Sequence, residues 1–168
     1  MKILAPDKHP ATRAVGKKLS QLIEPTELVW EDDYGNRFRM VPTLHFLFDG
    51  ASIPRLLWSP LGLAPHGVMD GPALFHDFPY HYKGKMPPGS YQLWTSRGWI
   101  DMQTPMPRDV ADELLEALVL HFEAAGKAKA RLVYAGVRIG GWIAWNRDDD
   151  RRKLTQFDVL LAEEMDRP

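Results

Sequence analysis

Residues 27–48, ELVWEDDYGNRFRMVPTLHFLF, decide the first half of the fold. Two extended runs lie on either side of EDDYGNR, and the Gly35-Asn36 pair inside it suits a tight hairpin turn. A third extended run, 43–48, leads into DGASIPR at 49–55, where Asp, Gly, Ser and Pro in close order are turn chemistry. Residues 1–55 therefore read as a β-rich part, a hairpin or small antiparallel sheet.

Outward from that stretch the periodicity changes. From about residue 70 the chain reads as helix, with Asp70 as the expected N-cap and Pro72 in the first turn. Residues 82–99, YKGKMPPGSYQLWTSRGW, read as a long polar and aromatic loop. In 107–126, Ala111, Leu114, Leu115, Leu118 and Phe122 recur at helical spacing, and Gly126 stands where a closing glycine is expected. A last apolar segment, 129–145, is interrupted by Arg138 and the Gly140-Gly141 pair; it reads as a buried core helix, not a membrane element. The expected architecture is a single α+β domain over 1–168. Its β-rich part packs on about three helices within 66–146, two of them antiparallel, and 147–168 forms a polar tail or short helix.

Composition bounds the function. The chain has 168 residues, 45% hydrophobic and 26% charged, which is ordinary for a globular protein. A net charge of −1 gives no electrostatic footprint for nucleic acid. Acidic and basic residues mix even where they cluster, as in NRDDDRRK at 146–153. With no cysteine, disulfides, thiolate metal sites and cysteine nucleophiles are excluded. The start, MKILAPDKHP, is too short in apolar residues for a secretory signal, and no run of about 18 apolar residues spans a bilayer. Synthesis and retention in a cytoplasm are expected. Of six tryptophans, Trp94, Trp99, Trp142 and Trp145 fall where core periodicity is weak, and are expected in the core or at subunit contacts.

The chemistry centres on residues 71–84, GPALFHDFPYHYKG, which set His76 and Asp77 side by side in an apolar and aromatic run. A charge there must be paired, hydrogen-bonded or metal-bound. His76 and Tyr80 are four apart, so a helix stacks them on one face; Asp77 and His81 form a second such pair, turned by about 100°. Asp112 sits just off the apolar stripe of the second helix. With the helices side by side it can accept a hydrogen bond from His76, fix the tautomer and leave the other ring nitrogen as a base. Asp77 is then placed to bind a hard cation with carbonyl oxygens from a nearby loop. Pro79 falls inside this helix, removes the backbone bond to Phe75 and pushes Phe78 away from helical geometry; a kink there would draw Tyr80 out from under His76. The structural alternative is that Asp77 caps, His76 is satisfied in the core, Asp112 answers the helix dipole and Tyr80 merely packs. Ser52 lacks a nucleophile-elbow context, and His45, His66 and His121 have no partner at metal-ligand spacing.

His-Asp-x-x-Tyr on one helix, followed by an aspartate on a second, resembles the secreted phospholipase A2 superfamily, in particular its bacterial and parvoviral branches. The resemblance implies that His76 is the general base for a water, that Tyr80 and Asp112 are its hydrogen-bonded support, and that Asp77 binds calcium. FDGASIP is the best candidate for the calcium loop that the resemblance implies, which makes Asp49 the second metal candidate. More closely, Val41-Pro42, DGASIPR at 49–55, His76 to Tyr80 as HDxxY, Ala111-Asp112, and Tyr134 with Val137, Arg138 and Gly140 look like a phage and prophage family. It is catalogued as a domain of unknown function, number 1353, and the likeness runs from about residue 25 to 145.

What these resemblances imply is a phage-encoded, Ca²⁺-dependent hydrolase of esters or lipids acting at a phospholipid or membrane surface. The competing expectation is a non-catalytic virion component, associated with tail or capsid, whose partners are other virion proteins. Either is made in the host cytoplasm, and the second is carried into the virion. A third chemistry is a His-Asp metal phosphohydrolase, with His45 or His66 joining His76, Asp77 and Asp112 around one or two metals. Such enzymes are all-helical, which the β-rich first third opposes.

Overall fold

A computed structural model describes residues 1–15, 19–48, 68–122 and 125–146. Strands β1 (Lys2–Ala5), β4 (Leu28–Glu31), β5 (Arg37–Met40), β7 (Tyr91–Thr95) and β8 (Gly98–Asp101) form one antiparallel sheet in the order β1-β4-β5-β7-β8. Strands β2 (Thr12–Ala14), β3 (Ser20–Leu22) and β6 (Leu47–Phe48) form a second. The helices are α1 (Asp70–His81), α2 (Arg108–His121) and α3 (Lys127–Asn146). The chain is α+β, with a β-rich first part and three helices.

The β4–β5 hairpin forms as its turn residues require. Gly35 takes φ +84, and the Asp32 carboxylate accepts from the backbone N–H groups of Tyr34 and Asn36, each at 2.9 Å. Register sets Trp30 opposite Phe38 and Phe38 opposite Leu93, so Trp30, Phe38 and Tyr91 stack on one face with centroids 5.4–6.1 Å apart. The third extended run is shorter than expected. His45 turns to φ 66, the strand proper is Leu47–Phe48, and the run bonds to β3, where Leu22 also meets His45 and Phe46, instead of extending the hairpin.

Residues 82–99 are the main correction: the expected loop carries β7 and the start of β8. The free edge of β5 supplies the partner, and Thr95 with Gly98 at φ +93 closes the turn. Polar residues fit there because both strands are only half-covered.

Three helix boundaries also differ. Met69 is the N-cap of α1 and makes no side-chain cap, while the Asp70 carboxylate accepts from Thr12 Oγ1 at 3.1 Å. Pro79 does not break α1, which runs on to His81 with Phe78 fully buried. A proline two residues from a helix end removes one ladder bond, and the burial of Phe75, Phe78 and Tyr80 holds the turn. Gly126 does not close α2, which ends at His121; its carbonyl accepts from Ala130 at the start of α3.

The core joins both halves. Leu28, Trp30, Met40 and Phe48 from the strands meet Leu74, Phe75 and Phe78 of α1 and Leu114 and Leu118 of α2. α1 and α2 run antiparallel: Gly71 at the start of α1 lies against Phe122, just past α2, and Gly84 past the end of α1 lies against Met106. α3 packs on α2 through Ala130, Val133 and Val137 against Leu115 and Val119. The expectation that α3 is a buried helix holds for that side only, because Ile139 on the other is 83% exposed. No helix among the described residues is long and apolar enough to cross a membrane.

Candidate functional site

The antiparallel packing of α1 and α2 brings His76, Tyr80 and Asp112 together. His76 Nε2 lies 3.3 Å from Asp112 Oδ1, and the Tyr80 hydroxyl donates to the same oxygen at 2.5 Å. The His76 and Tyr80 rings, one helical turn apart, have centroids 4.2 Å apart. His76 Nδ1 faces Asp77 Oδ1 at 3.4 Å. The imidazole therefore stands between two carboxylates, one from each helix. All four residues are buried, Asp112 completely.

Asp112 lies deeper than the edge of the apolar stripe where its position on α2 alone would set it. The reason lies on α3. Arg138 donates to Asp112 Oδ2 at 3.1 Å, and Arg108 holds the Arg138 carbonyl with both terminal nitrogens at 3.4 Å. The carboxylate is thus satisfied from three sides, which makes burial tolerable. α3 also makes room: a Cβ at Gly141 would collide with the Tyr80 hydroxyl, and Trp145 packs edge-on to the Tyr80 ring at 4.9 Å. Arg138, Gly141 and Trp145 complete the site and were not among its expected members. Their signal was available, since an arginine and a glycine pair interrupt an otherwise apolar helix.

Charge states follow. Burial works against a protonated His76, but the hydrogen bonds it donates to the Asp112 and Asp77 carboxylates, and their charge, overcome it and raise the pKa above 6.5. For Asp112, burial pushes upward, yet the bonds with His76, Tyr80 and Arg138 hold the carboxyl below 3.8. Burial and the neighbouring carboxylate drive the Tyr80 hydroxyl upward, so it stays a donor. The signs give opposite pH limits. A raised His76 contributes stability that is complete below 6.5 and fades as pH rises through its folded value. A depressed Asp112 contributes stability that is present above 3.8 and fades as pH falls through its folded value. The network therefore stabilises most between 3.8 and 6.5. Denaturant unfolding of the wild type and His76→Gln across this range and up to pH 9 checks it: the wild-type advantage is expected to shrink on the alkaline side. An advantage independent of pH would contradict the assignment.

Of the remaining candidates, Asp49, Ser52 and His66 lie outside the described residues, as does the expected tail 147–168. His45 is exposed in a turn, and His121 Nε2 bonds the Pro6 carbonyl at 2.8 Å. Calcium takes six to eight oxygen ligands. Asp77 is the one calcium candidate among the described residues, and no three His, Cys, Asp or Glu side chains there converge as metal ligands.

Fold and site define an α+β protein whose buried imidazole is held between carboxylates on two antiparallel helices, with an arginine from a third closing the set. The chain belongs to the family of proteins of unknown function DUF1353, whose model matches residues 25–137. That span holds β4, β5, α1 and α2 and ends one residue before Arg138. Comparison with curated proteins gave no match. Comparison with solved structures gave none either.

Proposed function

We propose that the chain is a phage-encoded hydrolase of lipid esters in which His76 is the general base. The observation that carries this reading is the meeting of His76 Nε2 and the Tyr80 hydroxyl on one oxygen of Asp112. Asp112 keeps the proton of neutral His76 on Nε2, and Nδ1 is left with a lone pair on the Asp77 side. A water there gives its proton to Nδ1 as its oxygen attacks the ester carbonyl carbon. The imidazolium then returns the proton to the departing alkoxide, leaving a fatty acid and an alcohol. In this scheme His76 touches the reacting atoms, while Asp112, Tyr80 and Arg138 position it. Asp77 is the residue that would hold calcium, whose chemistry would be to polarise the carbonyl and offset charge on its oxygen.

A second reading is a non-catalytic protein, such as a virion component of tail or capsid; the burial of the network supports its non-catalytic part. His76 is 2% and Asp112 0% exposed, as a network built to tie three helices together would have them.

Phospholipid micelles separate the two. Purified protein is expected to release fatty acid at a rate that climbs with pH through a midpoint above 6.5, since the base must be neutral and Asp112 and Asp77 raise its pKa against the effect of burial. His76→Asn, folded by circular dichroism, is expected to lose at least about 100-fold. Assays with Ca²⁺ and with chelator read the role of Asp77. If no condition yields release from wild-type protein, or the folded variant matches it, the hydrolase reading fails and the virion reading stands.

A further inference from the structure

The side of α3 turned away from α2 is apolar and open to solvent. Leu132, Ile139, Trp142 and Ile143 are 53, 83, 63 and 61% exposed. Positions 132, 139 and 143 share one helical stripe, with Trp142 on its margin. Single exposed apolar side chains are common, but a contiguous set on one element marks a contact surface. The same helix carries Lys127, Lys129, Arg131 and Arg138 and no acidic residue, in a chain whose net charge is −1. At 100° per residue Arg131 falls about 20° beyond Trp142, with Lys127 further round the same side, and Lys129 falls about 40° beyond Ile143. Cations thus flank the stripe at its N-terminal end, around Leu132, on both margins.

We infer that this face of α3 docks on an anionic lipid bilayer, lying in the headgroup plane with Ile139, Trp142 and Ile143 reaching the acyl boundary. A helix with a basic border and an aromatic and aliphatic stripe suits that interface, and a tryptophan there keeps its N–H in the wet layer while its ring is buried. Each cation near an anionic surface strengthens binding about fivefold. A second copy of the chain is the competing occupant: a parallel pair of α3 helices would oppose like charges, and dimerisation through this face is one outcome of the test below. The use of this surface to meet a lipid substrate rests on the hydrolase reading; the docking itself stands on α3 alone.

Vesicle co-sedimentation of the full chain tests it, with phosphatidylcholine alone and with phosphatidylcholine and phosphatidylglycerol at roughly 2:1. Wild-type protein is expected to bind the mixed vesicles with a blue shift in tryptophan emission, to bind the neutral ones at least about tenfold more weakly, and to dissociate as salt rises. Ile139→Asp with Ile143→Asp is expected to weaken binding at least about tenfold while leaving the unfolding transition in place, since both side chains face solvent. Lys127→Glu with Arg131→Glu is expected to abolish the preference for phosphatidylglycerol. Equal binding by wild type and the isoleucine variant overturns the proposal. So does a dimer in solution that the isoleucine variant dissolves, because the face would then belong to a second copy. Fatty-acid release by the wild type is read on the same vesicles: binding by wild-type protein without any release keeps the docking surface and removes the hydrolase, whereas release without binding through α3 keeps the hydrolase and removes the docking surface.

Discussion

Asp112→Ala is expected to lower unfolding stability by about 3 kcal/mol, more than any other change to the site. The carboxylate accepts from Tyr80 on Oδ1, which also faces His76, and from Arg138 on Oδ2. Arg138 is about one-third exposed on its side chain and can turn to water, so its loss counts for little. His76 and Tyr80 are each 2% exposed and cannot. An unsatisfied buried donor costs about 1–3 kcal/mol, and two are left behind, together with the space the carboxyl filled. Asp112→Asn keeps an oxygen for Tyr80 and is expected to lose about half as much. Urea unfolding of the two variants near pH 6 reads the difference. A loss under about 0.5 kcal/mol for Asp112→Ala would mean the three helices are not tied through this carboxylate. The alanine variant should also show a weaker alkaline decline, since one of the two carboxylates that raise the His76 pKa is then gone.

Much of this was legible in the chain, and for identifiable reasons. The β4–β5 hairpin is encoded locally, by Gly35 and the Asp32 carboxylate. The stripe of α2 is encoded by spacing, and the pairing of His76 with Asp112 follows once two amphipathic helices are laid side by side. What escaped depends on partners distant in sequence. β7 is half-covered and mixed in polarity, and becomes a strand through the edge that β5 offers it. Pro79 threatens to kink the turn that carries Tyr80, but three buried aromatic side chains outweigh one missing hydrogen bond. The depth of Asp112 is set by Arg138, 26 residues away on α3, and no periodicity within α2 announces it. Gly141 reads as a helix interruption until the Tyr80 hydroxyl is seen to occupy the place of its missing Cβ.

The same network sets stability and activity against each other. Asp77 and Asp112 favour the imidazolium, which ties the helices best, whereas a general base must be neutral. Under the hydrolase reading activity grows with pH as the contribution of His76 to stability declines. Under the virion reading only the stability curve exists. Measured side by side on one preparation, the two curves report on the same proton.

Gly84→Ala is expected to be nearly as damaging, though Gly84 lies outside the charge network. Gly84 takes φ +77, donates to the Pro79 carbonyl at 2.9 Å and accepts from Met106 N–H at 3.0 Å, so it fixes the end of α1 to the approach of α2. An alanine in this left-handed conformation costs about 1 kcal/mol. Its Cβ would also run into the Met106 carbonyl, a backbone atom that cannot swing aside. Relief requires moving the α1–α2 junction, and overpacking of that kind adds about 1–3 kcal/mol, giving roughly 3 kcal/mol in all. Gly35 and Gly89 serve as internal controls, with φ +84 and +80 and nothing within 4 Å of an added Cβ. Gly35→Ala and Gly89→Ala carry the conformational term alone and are expected to lose about 1 kcal/mol each. If all three variants unfold at the same denaturant concentration, the crowding at Met106 has no energetic weight. If Gly84→Ala alone falls far below the others, the junction that aligns His76 with Asp112 is held by the absence of a single methyl group.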